Sequence, residues 1–220
     1  MDSNTQILHV PALGNSDISD ADSLINSLEE NGVRRTIDSL GWKDRYPYHP
    51  LTTFSVAHSA DTLFVDFFVR CNYLRAINDK PNSPVYEDSC VGMCIRPSTD
   101  SPTYISLMIN CIGTLCGKIH AADGSVTMIP EDKLNRIACF ASCGSRPFRE
   151  LEGLFTWNIL AEIPLDVLGI ATPAFPLSMK GNFFKCASGT SQPHFLSWMP
   201  IDSPSPDFER PDCFGDIILE

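Results

Sequence analysis

Four consecutive residues, Tyr86, Glu87, Asp88 and Ser89, place an aromatic ring, two carboxylates and a hydroxyl just ahead of a strand-like run. Arg75 precedes them in a polar stretch. Asn110 and Gly113 follow where one extended segment passes into the next. A flat ring that stacks on C–H faces, combined with polar side chains that have planar ends, suits a neutral polyhydroxylated ligand. The candidate ligand-binding set is therefore Arg75, Tyr86, Glu87, Asp88, Asn110 and Trp198, with Trp42 as a further aromatic face. Each has a structural reading beside the functional one. Trp157, inside FTWNILAEIP, is a core residue, and Trp198 suits core and rim equally. Asp88 can cap a turn, or ligate calcium together with backbone oxygens. Calcium is the one cofactor that the pattern allows, and no metal ligand set can be named.

Other chemistries find less support. Cys90/Cys94 and Cys139/Cys143 are spaced C-x3-C, and Cys111/Cys116 is C-x4-C. Positions four apart on a strand lie about 13 Å apart, too far for a disulfide or a shared zinc ion. Buried free thiols are the expectation. There is no G-x-S-x-G elbow, phosphate-binding loop or dinucleotide fingerprint. The histidines His9, His49, His58, His120 and His194 are singletons, and nothing in the sequence pairs one of them with a cysteine. Glu87 and Asp88 could be matched with Asp100 or Asp212 as a glycosidase-type carboxylate pair, although sequence neighbours on a strand point apart. No catalytic residue is assigned.

The whole chain sets the context for these groups. It has 220 residues, a net charge of −11 and 43% hydrophobic residues, enough for a sizeable core in one domain. The acidic balance and scattered basic residues disfavour nucleic acid as a partner. No apolar run is long enough for a membrane-spanning helix. The first residues lack the basic start and apolar centre of a secretion signal, and nine cysteines is an odd number. A cytoplasmic location is therefore expected, or a periplasmic or secreted one if a signal has been removed.

The elements that must position the candidate set read as strands. Residues 7–13 form an edge strand interrupted by Pro11. Residues 16–31 form a helix capped by Asp20 or Ser19 and stopped at Asn31-Gly32. Residues 36–50, with Trp42, Tyr46 and Tyr48, are irregular and lie over the end of a core. Residues 51–58 and 62–70 are strands joined by a tight turn. In the second, Leu63, Val65, Phe67 and Val69 alternate with a face that Phe64 and Phe68 make partly apolar. Residues 72–83 are a loop. Further strands are expected at 91–96, 103–110, 112–120, 134–142, 154–163, 179–187, 194–200 and 215–219, with a hairpin turn at Asp123-Gly124 and a coil over 202–212. The fold class is all-β: a two-sheet antiparallel sandwich, jelly-roll or immunoglobulin-like, with a short N-terminal helix. It forms a single domain over 1–220 in which 1–35 is an extension.

Several segments resemble, in order and spacing, carbohydrate-binding family-9-like proteins. They are GWKDRYPYHP (41–50), YLRA (73–76), PVYEDSCVGMCIRP (84–97), YISLMINCIGTL (104–115), WNILAEIP (157–164), KGNFFKCASGTSQPHFLSWMPI (180–201) and PDFERPDCFGDIIL (206–219). The resemblance covers about 36–220 and implies a bacterial sugar-binding β-sandwich related to modules appended to xylanases. In those modules a terminal sugar unit is held at a rim, and bound calcium has a structural part. On that likeness Tyr86 stands where the family aromatic, usually Trp, precedes the acidic pair. Glu87, Asp88, Ser89, Arg75 and Asn110 match family positions. The chain departs at Gly92, where the family pattern carries a glutamate near the ligand. The expected function is non-catalytic binding of a mono- or oligosaccharide. The alternatives are a glycan hydrolase using rim carboxylates or a Cys/His pair, or a protein-interaction domain whose partner is unknown.

Overall fold

The alternation over 62–70 continues six residues further in the computed structural model of the chain, which describes residues 7–14 and 20–220. In chain order the elements are β1 (Leu8–Val10), α1 (Ala21–Asn31), β2 (Val33–Thr36), β3 (Leu51–His58), β4 (Thr62–Ala76), β5 (Cys90–Arg96), β6 (Tyr104–Asn110) and β7 (Leu115–His120). There follow β8 (Val126–Met128), α2 (Glu131–Leu134), β9 (Ala138–Ala141), β10 (Phe148–Pro164), β11 (Leu177–Cys186), β12 (Phe195–Ser197) and β13 (Gly215–Leu219). One sheet runs β2-β3-β4-β10-β9. The other runs β1-β13-β11-β5-β6-β7-β8, with β12 also paired to β11. Pairing is antiparallel except at the edge, where β1 lies parallel to β13.

The sandwich interior follows from period-two burial. Leu63, Val65, Phe67 and Val69 of β4 and Val91, Met93 and Ile95 of β5 are all buried in one cluster. Phe54 of β3 stacks on Phe183 of β11 at 4.0 Å, so the two sheets meet ring to ring. The apolar outward face of β4 has its own explanation. Helix α1 lays Leu24 and Leu28 against Phe64, Ala57 and Leu160, a second small core on the far side of the five-stranded sheet. Asp20 caps this helix by accepting from the Ser23 N–H, and it stops at Gly32 as expected. The expected start at 16 lies outside the described residues, as does Ser19.

The irregular segments cover the outer face of the larger sheet rather than the end of the core. Trp42, Ile201, Phe208 and Phe214 pack there on Phe184, Cys94 and Met108. The Trp42 indole N–H donates to the Ser203 carbonyl at 2.8 Å, tying the segment after β2 to the coil before β13.

Several boundaries differ from the sequence reading. Leu134 ends α2, and the strand expected from it begins only at Ala138. β7 starts at Leu115 because Asn110–Thr114 makes the turn, with Gly113 at φ +84°. β4 reaches Ala76, so Arg75 lies in a strand and not in a loop. β2 and β8, of four and three residues, were not anticipated. All nine cysteines are free. Cys90 and Cys186 face each other across β5 and β11, and burial pushes the Cys90 and Cys94 thiols well above their usual range.

Candidate functional site

Between β4 and β5 the chain makes a loop that ends in a single 3-10 turn, Val85–Glu87. Asp88 is the peg of this loop. Its carboxylate is fully buried and accepts from the backbone N–H groups of Ile77 at 3.0 Å and Asn78 at 2.9 Å. It also accepts from the Asn110 amide at 3.0 Å. Asn110, equally buried, donates a second hydrogen bond to the Asn78 carbonyl, and its own oxygen accepts from the N–H of Thr114 at 2.9 Å. The two side chains therefore knit the β4–β5 loop to the β6–β7 turn. Donors surround Asp88, so it offers no face to a cation; it is the turn-capping reading that the geometry matches. Among the described residues no group of three His, Cys, Asp or Glu side chains could hold a metal ion.

Arg75 supports the turn from below. Its guanidinium donates to the Glu87 carbonyl at 2.7 Å and lies 3.5 Å from Asp88 and 3.7 Å from the Glu87 carboxylate. A Cβ on Gly189 would overlap this guanidinium, so only glycine lets the β11–β12 loop pass so close. Ser89 accepts from the Arg75 N–H at 3.1 Å. Trp198, 7% exposed, packs edge-on against Phe54 and Phe183 inside the sandwich. Of the six candidates, only Tyr86 and Glu87 present much of their side chain to solvent. Tyr86 is 44% exposed, and Arg75, Asp88, Asn110 and Ser89 hold the turn that carries it.

Beside Tyr86 lies a hollow of about 180 Å³ on the outer face of the larger sheet. Phe195 and Pro206 also line it, and Phe208, Met108 and Cys186 contribute apolar floor. Its polar groups are Lys118, Asp207 and Glu209. Glu209 Oε1 takes the Lys118 ammonium at 2.8 Å and the Ser106 hydroxyl at 3.1 Å, and lies 3.5 Å from His120 Nε2. Every one of these contacts uses Oε1, so Oε2 keeps its acceptor capacity. Lys118 keeps N–H donors beyond the one given to Glu209. Burial opposes the Lys118 charge, but the bond to Glu209 and its negative charge outweigh that and raise the pKa above its ordinary value. Burial lowers that of His120 despite the nearby carboxylate. The His120 ring stacks flat on Tyr104 at 4.2 Å.

Gly92 lies under this hollow. The Phe184 ring lies across it, and Phe208 stacks on Phe184 at 4.2 Å and 8°. Where the family likeness implied a carboxylate projecting from β5, the space holds two aromatic rings. The next residue after Phe208 is Glu209, so a carboxylate reaches the hollow from the coil instead. Sequence reasoning missed Lys118, Phe195, Phe208 and Glu209. One signal was present: Lys118 shares its strand parity with Cys116 and His120, and so faces outward with Ser106 of the paired strand.

Ser106, His120 and Glu209 contain the residue types of a hydrolytic triad but not its geometry. In a triad the carboxylate orients the imidazole through the nitrogen opposite the nucleophile. Here Ser106 at 3.1 Å and Glu209 at 3.5 Å both face Nε2, and the Ser106 hydroxyl, 1% exposed, is beyond a substrate's reach. Of the carboxylates considered for a glycosidase pair, Asp88 is enclosed and Asp212 is held by Arg210 at 2.8 Å.

Comparison with known proteins adds the following. A family model described as carbohydrate-binding family 9 matches residues 22–219. No curated protein matches the chain. A crystal structure from Bacteroides uniformis ATCC 8492, provisionally described as a carbohydrate-binding protein, is 28% identical over 98% of this chain and 99% of that one, with a TM-score of 0.91. A family 9 carbohydrate-binding module from Caldicellulosiruptor kristjanssonii has been solved with glucose and with cellotriose. It is 15% identical at a TM-score of 0.58, covering 98% of this chain and 96% or 94% of those. At that identity the likeness concerns the fold.

Proposed function

The chain belongs to carbohydrate-binding family 9, and on that premise we propose that it binds a saccharide without turning it over, one sugar unit sitting in the hollow beside Tyr86. The observation that carries this reading is the pairing of an exposed aromatic ring with charged groups that are only half used. Tyr86 offers a flat face for sugar C–H groups. A hydroxyl can donate to Glu209 Oε2 and accept from the Lys118 ammonium at once, the cooperative arrangement that vicinal hydroxyls satisfy. Because Lys118 and Glu209 neutralise each other at 2.8 Å, the hollow favours a neutral sugar over a uronic acid. The hydroxyl beside His120, that of Ser106, is buried out of a substrate's reach, which supports binding as the whole function.

One stacked ring contributes on the order of 1 kcal/mol, so the affinity expected is micromolar to millimolar. The test is calorimetric titration of a panel of neutral mono- and oligosaccharides into the wild-type chain, Tyr86→Ala and Glu209→Gln. Both variants should weaken binding about fivefold or more, and Tyr86→Ala should leave the melting temperature unchanged. No heat with any sugar, or titration curves in both variants that match the wild type, would overturn the reading.

A further inference from the structure

Across the Phe195 ring from the Tyr86 hollow lies a second one, of about 380 Å³, lined by Arg45, Tyr46, Pro47, Tyr48, Gln192 and Pro193. We infer that the two form one track, and that the second hollow takes the further units of a neutral oligosaccharide whose first unit sits beside Tyr86. This rests on the sugar-binding reading of that first hollow.

Two observations join the hollows. Phe195, a wall of the first, lies 4.8 Å from Tyr46, a wall of the second, in an edge-on pair. The β11–β12 loop serves both. Near its start Ser188 donates its backbone N–H and its hydroxyl to the Tyr86 carbonyl, at 3.0 and 3.2 Å. Near its end Gln192 and Pro193 line the second hollow. The residues between Tyr86 and Tyr48 thus form a run of rings that a chain of sugar units can follow.

The lining also matches a sugar chemically. Tyr46 and Tyr48 are half-buried, so they are braced and still present ring surface. Tyr48 packs edge-on against the buried His194 at 5.1 Å, and its hydroxyl accepts from the Asn72 N–H at 2.7 Å. A ring fixed in this way loses little entropy when a sugar stacks on it. The Arg45 guanidinium lies 5.4 Å from the Tyr46 ring centre and is exposed, with its donors free for hydroxyls. Gln192 Oε1 is buried without a hydrogen-bond partner, an acceptor that a hydroxyl would satisfy. The net charge of −11 works against an acidic polysaccharide.

The experiment is calorimetric titration of the full chain with glucose, cellotriose and cellohexaose as probes, in the wild type, Tyr48→Ala, Arg45→Ala and Tyr86→Ala, with melting temperatures alongside. In the wild type, cellohexaose should bind about fivefold more tightly than glucose, the worth of one further stacked ring. Tyr48→Ala should abolish this gain and leave glucose binding as it was. Arg45→Ala, at an exposed side chain, should reduce the gain about twofold and remains informative if Tyr48→Ala lowers the melting temperature. Glucose binding that depends on Tyr86 but does not strengthen with chain length overturns the inference and leaves the proposed function standing. So does capture of a proline-rich peptide by the second hollow without any length gain, since aromatic grooves take such peptides too. If none of the three sugars binds, both readings fall.

Discussion

The replacement of Gly92 by alanine tests the site's architecture with the sign of the effect as well as its size. In an ordinary strand, alanine in place of glycine stabilises by roughly 0.5–1 kcal/mol, because glycine has more chain entropy to lose. Here the added Cβ would collide with the Leu107 carbonyl oxygen on β6 and lie 2.6 and 2.7 Å from the Phe184 ring. The carbonyl belongs to a paired strand and cannot move without opening the β5–β6 ladder. The ring can turn away only by leaving its 4.2 Å stack with Phe208. Overpacking of this kind costs about 1–3 kcal/mol, and the lost stack roughly another 0.5–1.5 kcal/mol. Set against the entropy gain, the net expectation is a destabilisation of about 0.5–4 kcal/mol, with about 2 kcal/mol at its centre. For a chain of this length a loss of about 2 kcal/mol lowers the melting temperature by roughly 4–8 °C. Differential scanning calorimetry of wild type and Gly92→Ala reads it directly. A variant that melts within about 2 °C of the wild type, or above it, would refute the close approach of Phe184 and with it the account of why the β5 carboxylate is absent. Gly92→Glu, which installs the residue that the family likeness implies there, should destabilise at least as much and should not improve sugar affinity.

Two further predictions concern buried carboxylates. Asp88→Ala strands the N–H groups of Ile77 and Asn78 and the Asn110 amide inside the loop. At about 1–3 kcal/mol for each unsatisfied donor, urea unfolding should show a loss of about 4 kcal/mol; a loss below about 1 kcal/mol would contradict the peg role. On the outer face of β4, burial pushes the Asp66 carboxyl up from 3.8 to about 6, against the Asn158 amide that bonds it. A raised folded-state pKa means that its contribution is complete below about pH 4 and is lost as pH rises through about 6. The shift corresponds to about 3 kcal/mol at neutral pH. Asp66→Asn should accordingly raise stability by about 2 kcal/mol at pH 7.5 and change little at pH 4, as followed by thermal melts at the two pH values. An equal effect at both would show that the charge is not responsible.

The strands of the sandwich were legible because each needs only its own neighbours to show a period of two. Leu63, Val65, Phe67 and Val69 face the core, and the partly apolar face between them is covered by α1 over Phe64. Boundaries failed where composition and pairing disagree. Arg75 looks like loop because its surroundings are polar, yet β4 continues there because β10 is long enough to pair with it as far as Ala76. The candidate site divides along the same line. Tyr86 stood out because an aromatic residue in a polar loop is informative on its own. Asp88 and Asn110 are polar loop residues too, but whether such a group faces solvent or its own chain's N–H donors depends on contacts with Asn78 and Thr114 that local sequence does not reveal. Lys118 and Glu209 make their 2.8 Å contact across a sequence separation of 91 residues. Neither sits in a pattern that suggests the other.

Gly92 and Glu209 are linked through the residue that lies between them in space and beside Glu209 in sequence. With no side chain at position 92, Phe184 can lie across β5, and the Phe184 ring is the surface on which Phe208 stacks. Phe208 anchors the coil before β13, and the Tyr104 hydroxyl, donating to the Glu209 carbonyl at 3.1 Å, fixes the next residue. Together these place the Glu209 carboxylate on Lys118 and Ser106. A side chain at 92 would lift Phe208 and draw Glu209 away from the hollow. Glycine at 92 is thus the condition for glutamate at 209 to reach the hollow. Gly92→Ala should therefore weaken sugar binding even in the fraction that stays folded, whereas Asp66→Asn, on the other sheet, should leave it alone.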